Sequence, residues 1–351
     1  MAPKPLKLFT DVAAVQKQHP IYQMMKQDKY EPERNVLMEW ARGFVDRDGK
    51  FDHEFQTTFE PCLWELYLFA FLKEIGASVD FNYDAPDFVV ENGEQFTLEA
   101  TIAAPAQGES GAHGYDLSSL PTDFNEFNSQ ATLRICNSFT SKVKRYRERY
   151  VNLSHVQNKP YVIAIASFDR PFSHLSAMRP VIAALYGLYH DEDATLASGA
   201  ERMISYNVGA VKKNAETNID LGYFCDGTYS DVSAVVFSSL ATWGKIRALA
   251  DNKGALSIYK TFHPNPNSIH PIVRVAKKAD YVEHLADGLC VFHNPFAKFP
   301  LNRQTLAHKR IAQGWVENDG ELCFDAPDDF LLLRYLNSIS ATSKEKIVAT
   351  D

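Results

Sequence analysis

The sequence has no apolar run long enough to cross a membrane. Its most apolar stretch, from Pro61 to Leu72, is too short for a membrane span and contains Glu65. Residues 1–8 also lack the long apolar segment that a signal peptide requires. These absences predict a soluble protein of the cytoplasm with no membrane partner.

Cysteine is scarce, and its pattern does not suggest disulfides. The five cysteines are odd in number and scattered, mostly within apolar segments: Cys62, Cys136, Cys225, Cys290 and Cys323. This pattern favours buried free thiols in a reducing compartment. Cys290 and His293 have a CxxH spacing, but no second pair of similar spacing completes a zinc site, so structural zinc is disfavoured.

An excess of positive charge is absent as well. The net charge of −8 is unlike that of a protein that coats nucleic acid, yet it is compatible with an enzyme that binds a phosphate backbone through a local basic patch. The sequence contains no P-loop, dinucleotide fingerprint or GxSxG elbow. The chain is therefore not assigned to the NTPases, the Rossmann dehydrogenases or the serine hydrolases.

The sequence does have ample material for a core, since 45% of its 351 residues are apolar and 12% are aromatic. We predict an α/β protein in three parts. Residues 1–55 form a helical N-terminal extension, residues 56–170 a core with a central mixed sheet flanked by helices, and residues 171–351 a C-terminal α/β elaboration packed on the same core.

The predicted core has the order helix, three strands, helix, strand. Its helices are expected at 59–75, which Gly76 ends, and at 132–150; its strands are expected at 78–83, 87–90, 95–103 and 161–167. The Asn92-Gly93 turn predicts a hairpin between the second and third strands, and residues 105–130 predict a long loop. Further on we expect helices at 178–190 and 330–336 and buried strands at 232–238 and 288–293.

Two carboxylates are predicted to meet on this hairpin. Strand 95–103 alternates, so Glu99 lies on the face opposite Phe96 and Leu98. Asp87 follows Pro86 on the adjacent strand, where its side chain can converge with that of Glu99. Paired carboxylates suit Mg²⁺ or Mn²⁺. The alternative is that Asp87 caps a turn while Glu99 meets solvent.

Two more residues stand out by their surroundings. Glu65 is the only charged residue between Pro61 and Leu72, and charged groups are rarely buried unless they are paired or bound to metal. Lys142 shares the apolar face of its helix with Phe139 and Tyr146, although a lysine at the edge of an apolar stripe could simply extend to solvent. The other cations of residues 144–149 are expected largely on other faces, either solvated or binding phosphate.

The segments Pro86-Asp87 and Glu99-Ala100-Thr101, after a helix that carries Glu65, resemble the PD-(D/E)XK (restriction-endonuclease-like) nuclease superfamily. The resemblance covers about residues 59–168. It implies that Asp87, Glu99 and the backbone carbonyl of Ala100 bind Mg²⁺ or Mn²⁺, with Glu65 completing the metal shell. It also implies a restriction-endonuclease-like core.

One position departs from the family pattern, because Thr101 stands where the family has lysine. Some branches of the family carry this lysine on the following helix, where Lys142 is suitably placed. Its spacing to Tyr146 resembles the QxxxY element of some branches, so Thr101 and Tyr146 are possible accessory residues. Lys142 would orient the attacking water or stabilise the phosphorane. His113, in the predicted long loop, is a weak further candidate near the mouth of the site.

The expected function is therefore that of a Mg²⁺-dependent endonuclease that hydrolyses phosphodiester bonds in DNA rather than RNA. By analogy it would belong to restriction, repair or phage defence and could act as a homodimer, because many enzymes of this fold cut both strands as dimers. Thr101 and the acidic charge also fit a catalytically inactive nucleic-acid-binding protein. A third alternative is an unrelated α/β enzyme that uses His263, His270 or His293.

Overall fold

The computed structural model describes residues 6–340 except 110, 114–117, 119 and 215. The helices are α1 (Pro20–Met25), α2 (Glu31–Ala41), α3 (Phe51–Thr57), α4 (Phe59–Glu74), α5 (Phe124–Arg145), α6 (Arg179–Tyr186), α7 (Glu192–Ser198) and α8 (Trp243–Leu249). The strands are β1 (Ser78–Asp80), β2 (Phe88–Glu91), β3 (Gln95–Ala103), β4 (Tyr161–Ser167), β5 (Leu188–Asp191), β6 (Ile204–Asn207), β7 (Ala210–Lys212), β8 (Asn218–Asp220), β9 (Ala234–Ser238), β10 (Ala255–His263), β11 (Ile272–Lys277), β12 (Cys290–His293), β13 (Ala312–Val316), β14 (Leu322–Asp325) and β15 (Leu333–Ser340).

The central sheet is mixed. Its order within the described residues is β1-β2-β3-β4-β9-β12-β13-β14. β2 pairs antiparallel with both β1 and β3, whereas β3, β4 and β9 run parallel to one another. The C-terminal half of the chain thus adds β9, β12, β13 and β14 to the sheet that the predicted core begins. The expected α/β class, with a central mixed sheet flanked by helices, is confirmed.

Helices cover both faces of this sheet, because alternate residues of the buried central strands point to opposite sides. On β4, Val162 and Ala164 face the cluster that contains α2, α3 and α4, while Ile163 and Ile165 face the cluster that contains α5 and α6. The predicted bounds of β3 and β4 are those observed. The hairpin between β2 and β3 is also observed, and its Gly93 has a positive φ of 77°.

Helix α4 is buried along nearly its whole length, as its composition predicts. Trp64 is fully buried, and its indole nitrogen donates to the Ala164 carbonyl at 3.1 Å, which ties the helix to β4. The helix ends before Gly76, whose φ of 76° lies in the left-handed region that favours glycine. Between Cys62 and Leu72, Glu65 is the one residue that is half-buried, while the others are buried.

The predicted long loop at 105–130 is wrong at its C-terminal end, because α5 begins at Phe124 rather than near Thr132. Asp123 is the N-cap of this helix, and its side chain accepts from the Glu126 amide at 2.9 Å. Asp123 and Glu126 have the spacing of a capping box, a signal that the polar composition of this segment concealed.

Two predictions for the C-terminal half are also wrong. The helix expected at 178–190 ends at Tyr186, where Gly187 adopts a left-handed φ of 61°, and β5 follows. The helix expected at 330–336 is instead the start of β15, whose Leu333 pairs with Phe262 on β10. In the second case tertiary pairing outweighs the helical preference of a leucine-rich segment.

Strands β11, β10 and β15 form a separate antiparallel sheet. Buried ion pairs hold this sheet in place. Glu283 is fully buried; Lys245 lies 2.5 Å from its carboxylate, and Arg334 of β15 forms a second ion pair with the same oxygen. Arg334 also donates to the Leu240 carbonyl at 3.1 Å. These contacts fix the last described strand to the loops around α8.

All five cysteines are free thiols, as the sequence predicts, but the predicted burial is wrong for Cys225, which is exposed, and for Cys323, which is half-buried. Cys290 and His293 are buried in β12 and have separate partners, Met178 and Gln313. None of the helices in the described part of the chain is both long and apolar enough to cross a membrane.

Candidate active site

The hairpin of β2 and β3 brings Asp87 beside Glu99. The two strands pair Phe88 with Leu98, so the next step along the antiparallel register places Asp87 opposite Glu99. The Ala100 amide donates to Asp87 Oδ2 at 2.7 Å. Both carboxylates therefore share the face of the sheet that α5 covers.

Glu99 is buried and held by three donors. Only 1% of its side chain is exposed, and its Oε1 lies 2.7 Å from Lys142 Nζ. Arg145 Nη1 and the Tyr150 hydroxyl donate to the same oxygen at 3.4 Å and 3.3 Å. The other oxygen, Oε2, is buried and has no hydrogen-bond partner among the described residues. A buried acceptor without a partner is unfavourable, so Oε2 is an acceptor that a ligand could use.

Arg47 supports Asp87 from the other side. Its guanidinium donates to the carbonyls of Tyr83 and Pro86 at 2.6 Å and 3.2 Å and lies 4.0 Å from Asp87 Oδ1. Burial, and after it the charge of Glu99, raise the pKa of Asp87 to about 6. Nearby cations, including Arg47, oppose this shift, so Asp87 is mostly ionised at neutral pH.

Glu65 lies on α4, which packs on the face of the sheet opposite to α5, near enough for the charges of Asp87 and Glu99 to act on it. Burial and then the charge of Asp87 raise the pKa of Glu65 well above its ordinary value, while Arg47 and Lys142 oppose the shift. Burial is the first cause of both shifts, and repulsion between the carboxylates adds to it. The group therefore favours a cation or a retained proton.

The remaining predicted residues lie at varied distances from this group. The backbone of Ala100 contacts Asp87, and Thr101 is half-buried on β3, where it pairs with Ile165 of β4. The Tyr146 ring is buried and stacks on Tyr161, with ring centroids 4.4 Å apart. His113 lies instead against His19, a residue outside the predicted set.

Sequence reasoning missed Arg145 and Tyr150. Arg145 was expected on another face of its helix, yet it reaches Glu99. After Arg145 the helix widens into a π-helical turn, Tyr146–Tyr150, and Tyr150 at the end of this turn also contacts Glu99. No simple α-helical period locates Tyr150, because the π turn changes the face on which its last residue lies.

A groove of about 560 Å³ adjoins the Glu99 contacts. Arg145, Arg149 and Tyr150 line this groove together with Tyr83 and His155. The rings of Tyr83 and His155 are stacked, with centroids 3.9 Å apart. The groove therefore combines cations with an aromatic surface next to the carboxylates.

A metal-ligand set of a different kind lies elsewhere. In the part of the chain that the structure describes, His19, Glu60 and His113 are the only three such residues whose ligand atoms all lie within 4.8 Å of one another. Glu65, Asp87 and Glu99 do not converge as tightly. Comparisons of the chain with protein-family models, curated proteins and solved structures found no match.

Proposed function

We propose that this protein is a metal-dependent nuclease that hydrolyses phosphodiester bonds in DNA and has a restriction-endonuclease-like core. One observation carries the proposal: Lys142 of α5 lies 2.7 Å from Glu99. The cation that Thr101 cannot supply from β3 is thus available from the following helix. The order α4, β1–β3, α5, β4 also supports the proposal.

The residues present suit a divalent cation with oxygen ligands. Glu99 Oε2 is a buried acceptor with no partner in the described chain, and the carboxylate of Asp87 is adjacent. The Ala100 carbonyl and Glu65 complete a set of hard donors, which favours Mg²⁺ or Mn²⁺. Such an ion supplies charge stabilisation for the phosphate and lowers the pKa of an attacking water.

The other side chains have distinct tasks in this proposal. Lys142 places a positive charge where negative charge develops on the phosphate, and it orients the attacking water. Arg145 and Arg149 hold the phosphate backbone along the groove, where Tyr83 offers a ring face for stacking. A local groove of this kind reconciles nucleic-acid binding with a net charge of −8. A homodimer would allow both strands to be cut.

The test is cleavage of plasmid DNA with Mg²⁺ or Mn²⁺ by the wild type, Asp87→Asn and Glu99→Gln. We expect each substitution to reduce cleavage at least about 100-fold, because even groups behind a metal ligand are worth 10–100-fold. Glu91→Gln is the matched control, since Glu91 is an exposed carboxylate at the far end of β2.

Wild-type protein that binds DNA but does not cut it, with binding retained in Asp87→Asn, would replace the nuclease by an inactive nucleic-acid-binding protein. Calorimetric titration with Mg²⁺ separates these cases, because the nuclease centre binds the ion through oxygen ligands and both variants lose it.

A further inference from the structure

Three residues that the proposed nuclease does not use meet at a different place in the fold. His19 is the N-cap of α1, Glu60 lies in the first turn of α4, and His113 lies in the connection between β3 and α5. These segments are remote in sequence. Their side chains are nevertheless only 10%, 14% and 31% exposed.

The spacing of their ligand atoms is that of a coordination shell. Glu60 Oε1 lies 3.2 Å from His19 Nε2 and 3.4 Å from His113 Nδ1. Ligands bound about 2.0–2.1 Å from a tetrahedral ion lie about 3.3–3.4 Å from one another. The two imidazole rings pack edge to face with centroids 4.5 Å apart, so both rings can contact the same ion.

Two of these ligand atoms make no hydrogen bond within the described chain. Glu60 Oε1 and His113 Nδ1 are both buried and have no hydrogen-bond partner among the described residues, despite their closeness. Buried polar atoms without a partner are unfavourable, so both atoms are available to bind an ion.

The position of His113 depends on a glycine. A Cβ atom at Gly111 would lie 2.8 Å from His113 Cε1 and 2.9 Å from its Nδ1, which is closer than real contacts allow. Any other residue at 111 would therefore displace the ring. Gly111 thereby keeps the imidazole Nδ1 within 3.4 Å of Glu60 Oε1.

We propose that His19, Glu60 and His113 form a binding site for a divalent transition metal, Zn²⁺ in particular, with water as the fourth ligand. Two imidazoles and a carboxylate suit Zn²⁺ rather than Mg²⁺, which prefers oxygen ligands alone. Partial exposure of His113 leaves room for the water. The ion fastens the β3–α5 connection to the first turns of α1 and α4. This site is independent of the proposed nuclease centre.

Binding involves a change of tautomer at His19. Its Nδ1 accepts a long hydrogen bond of 3.3 Å from the Ile21 amide, which leaves the proton of the neutral ring on Nε2. When Nε2 binds the ion, this proton moves to Nδ1 and the contact with Ile21 is given up.

The test is titration of metal-free protein with Zn²⁺ in excess Mg²⁺, against a chromophoric chelator. We expect one equivalent to bind, and the affinity to fall at least about 100-fold in Glu60→Gln and in His113→Ala. His113→Ala leaves the helix caps intact, so it remains informative if Glu60→Gln folds poorly. Co²⁺ should give the intense visible absorption of a tetrahedral site.

Glu74→Gln is the matched control, because Glu74 lies at the other end of α4 and is 3.4 Å from His308 without a third ligand. Its Zn²⁺ affinity should equal that of the wild type, as should that of Asp87→Asn. The proposal is overturned if the wild type binds no Zn²⁺ more tightly than millimolar. It is also overturned if all variants bind alike, or if Co²⁺ gives the weak spectrum of an octahedral site. None of these results bears on DNA cleavage.

Discussion

Replacing Lys142 by methionine should weaken both the fold and the proposed catalysis. The variant keeps the apolar stem but removes the ammonium that lies 2.7 Å from the buried Glu99. Removing one partner of a buried ion pair costs about 3–5 kcal/mol. Lys142 is 15% exposed and Glu99 keeps Arg145 and Tyr150, so the free energy of unfolding should fall by less, about 1–3 kcal/mol.

A double-mutant cycle with Glu99→Gln isolates the contact. The loss of stability in the double variant should be smaller than the sum of the two single losses by at least about 1 kcal/mol, because the effects of substituting two residues in contact are not additive. Lys144→Met is the control: its side chain is 74% exposed and lies 3.8 Å from Glu148, so stability should change by no more than about 0.5 kcal/mol.

Urea unfolding followed by circular dichroism measures these free energies, and plasmid cleavage by the same preparations measures activity. Cleavage should fall about 100–1000-fold in Lys142→Met, as for loss of a group that stabilises developing charge, and stay unchanged in Lys144→Met. Single losses that add within about 0.5 kcal/mol would refute the ion pair. Full cleavage by a folded Lys142→Met would refute its catalytic role.

Acid should destabilise the fold through His174, whose pKa is lowered to about 4 by burial and by the charge of Arg334. Because the unfolded ring titrates near its ordinary value of 6.5, the stabilisation is complete above that pH and is lost as the pH falls towards 4. Urea unfolding at about pH 7 and pH 5 measures this loss. From the higher to the lower pH, the free energy of unfolding should fall by roughly 1–2 kcal/mol more in the wild type than in His174→Gln; equal losses would contradict the assignment. Trp64→Ala should cost about 3–5 kcal/mol in urea unfolding, since it empties a fully buried site and leaves the Ala164 carbonyl without its indole partner. A cost below about 1 kcal/mol would mean that α4 repacks freely.

The sheet face that carries the carboxylates could be predicted because its signals are local. Alternation along β3 places Glu99 opposite the apolar residues, and the Asn92-Gly93 turn specifies the hairpin that aligns Asp87 with it. The lone charge of Glu65 in an apolar helix was likewise a local signal. Each of these inferences needs only one or two neighbouring elements.

What escaped prediction depends on distant pairing or irregular geometry. The composition of residues 330–336 favours a helix, but pairing with β10 places residues 333–336 in a strand. Tyr150 reaches Glu99 because of a π turn that no regular period describes. Glu60 lies in the first turn of a helix, where acidic residues are common, and only the complete fold brings His19 and His113 to it.

The buried carboxylate of Glu283 influences the order in which the chain can fold during synthesis. Lys245 and Glu283 leave the ribosome before Arg334, the second cation of the cluster. Until β15 is made and pairs with β10, Lys245 and the Tyr281 hydroxyl are the partners of Glu283, and under-compensated buried charge is unfavourable. The three-stranded sheet can therefore close only after β15 is made, and the segments that carry the carboxylates of the candidate active site are all made before it.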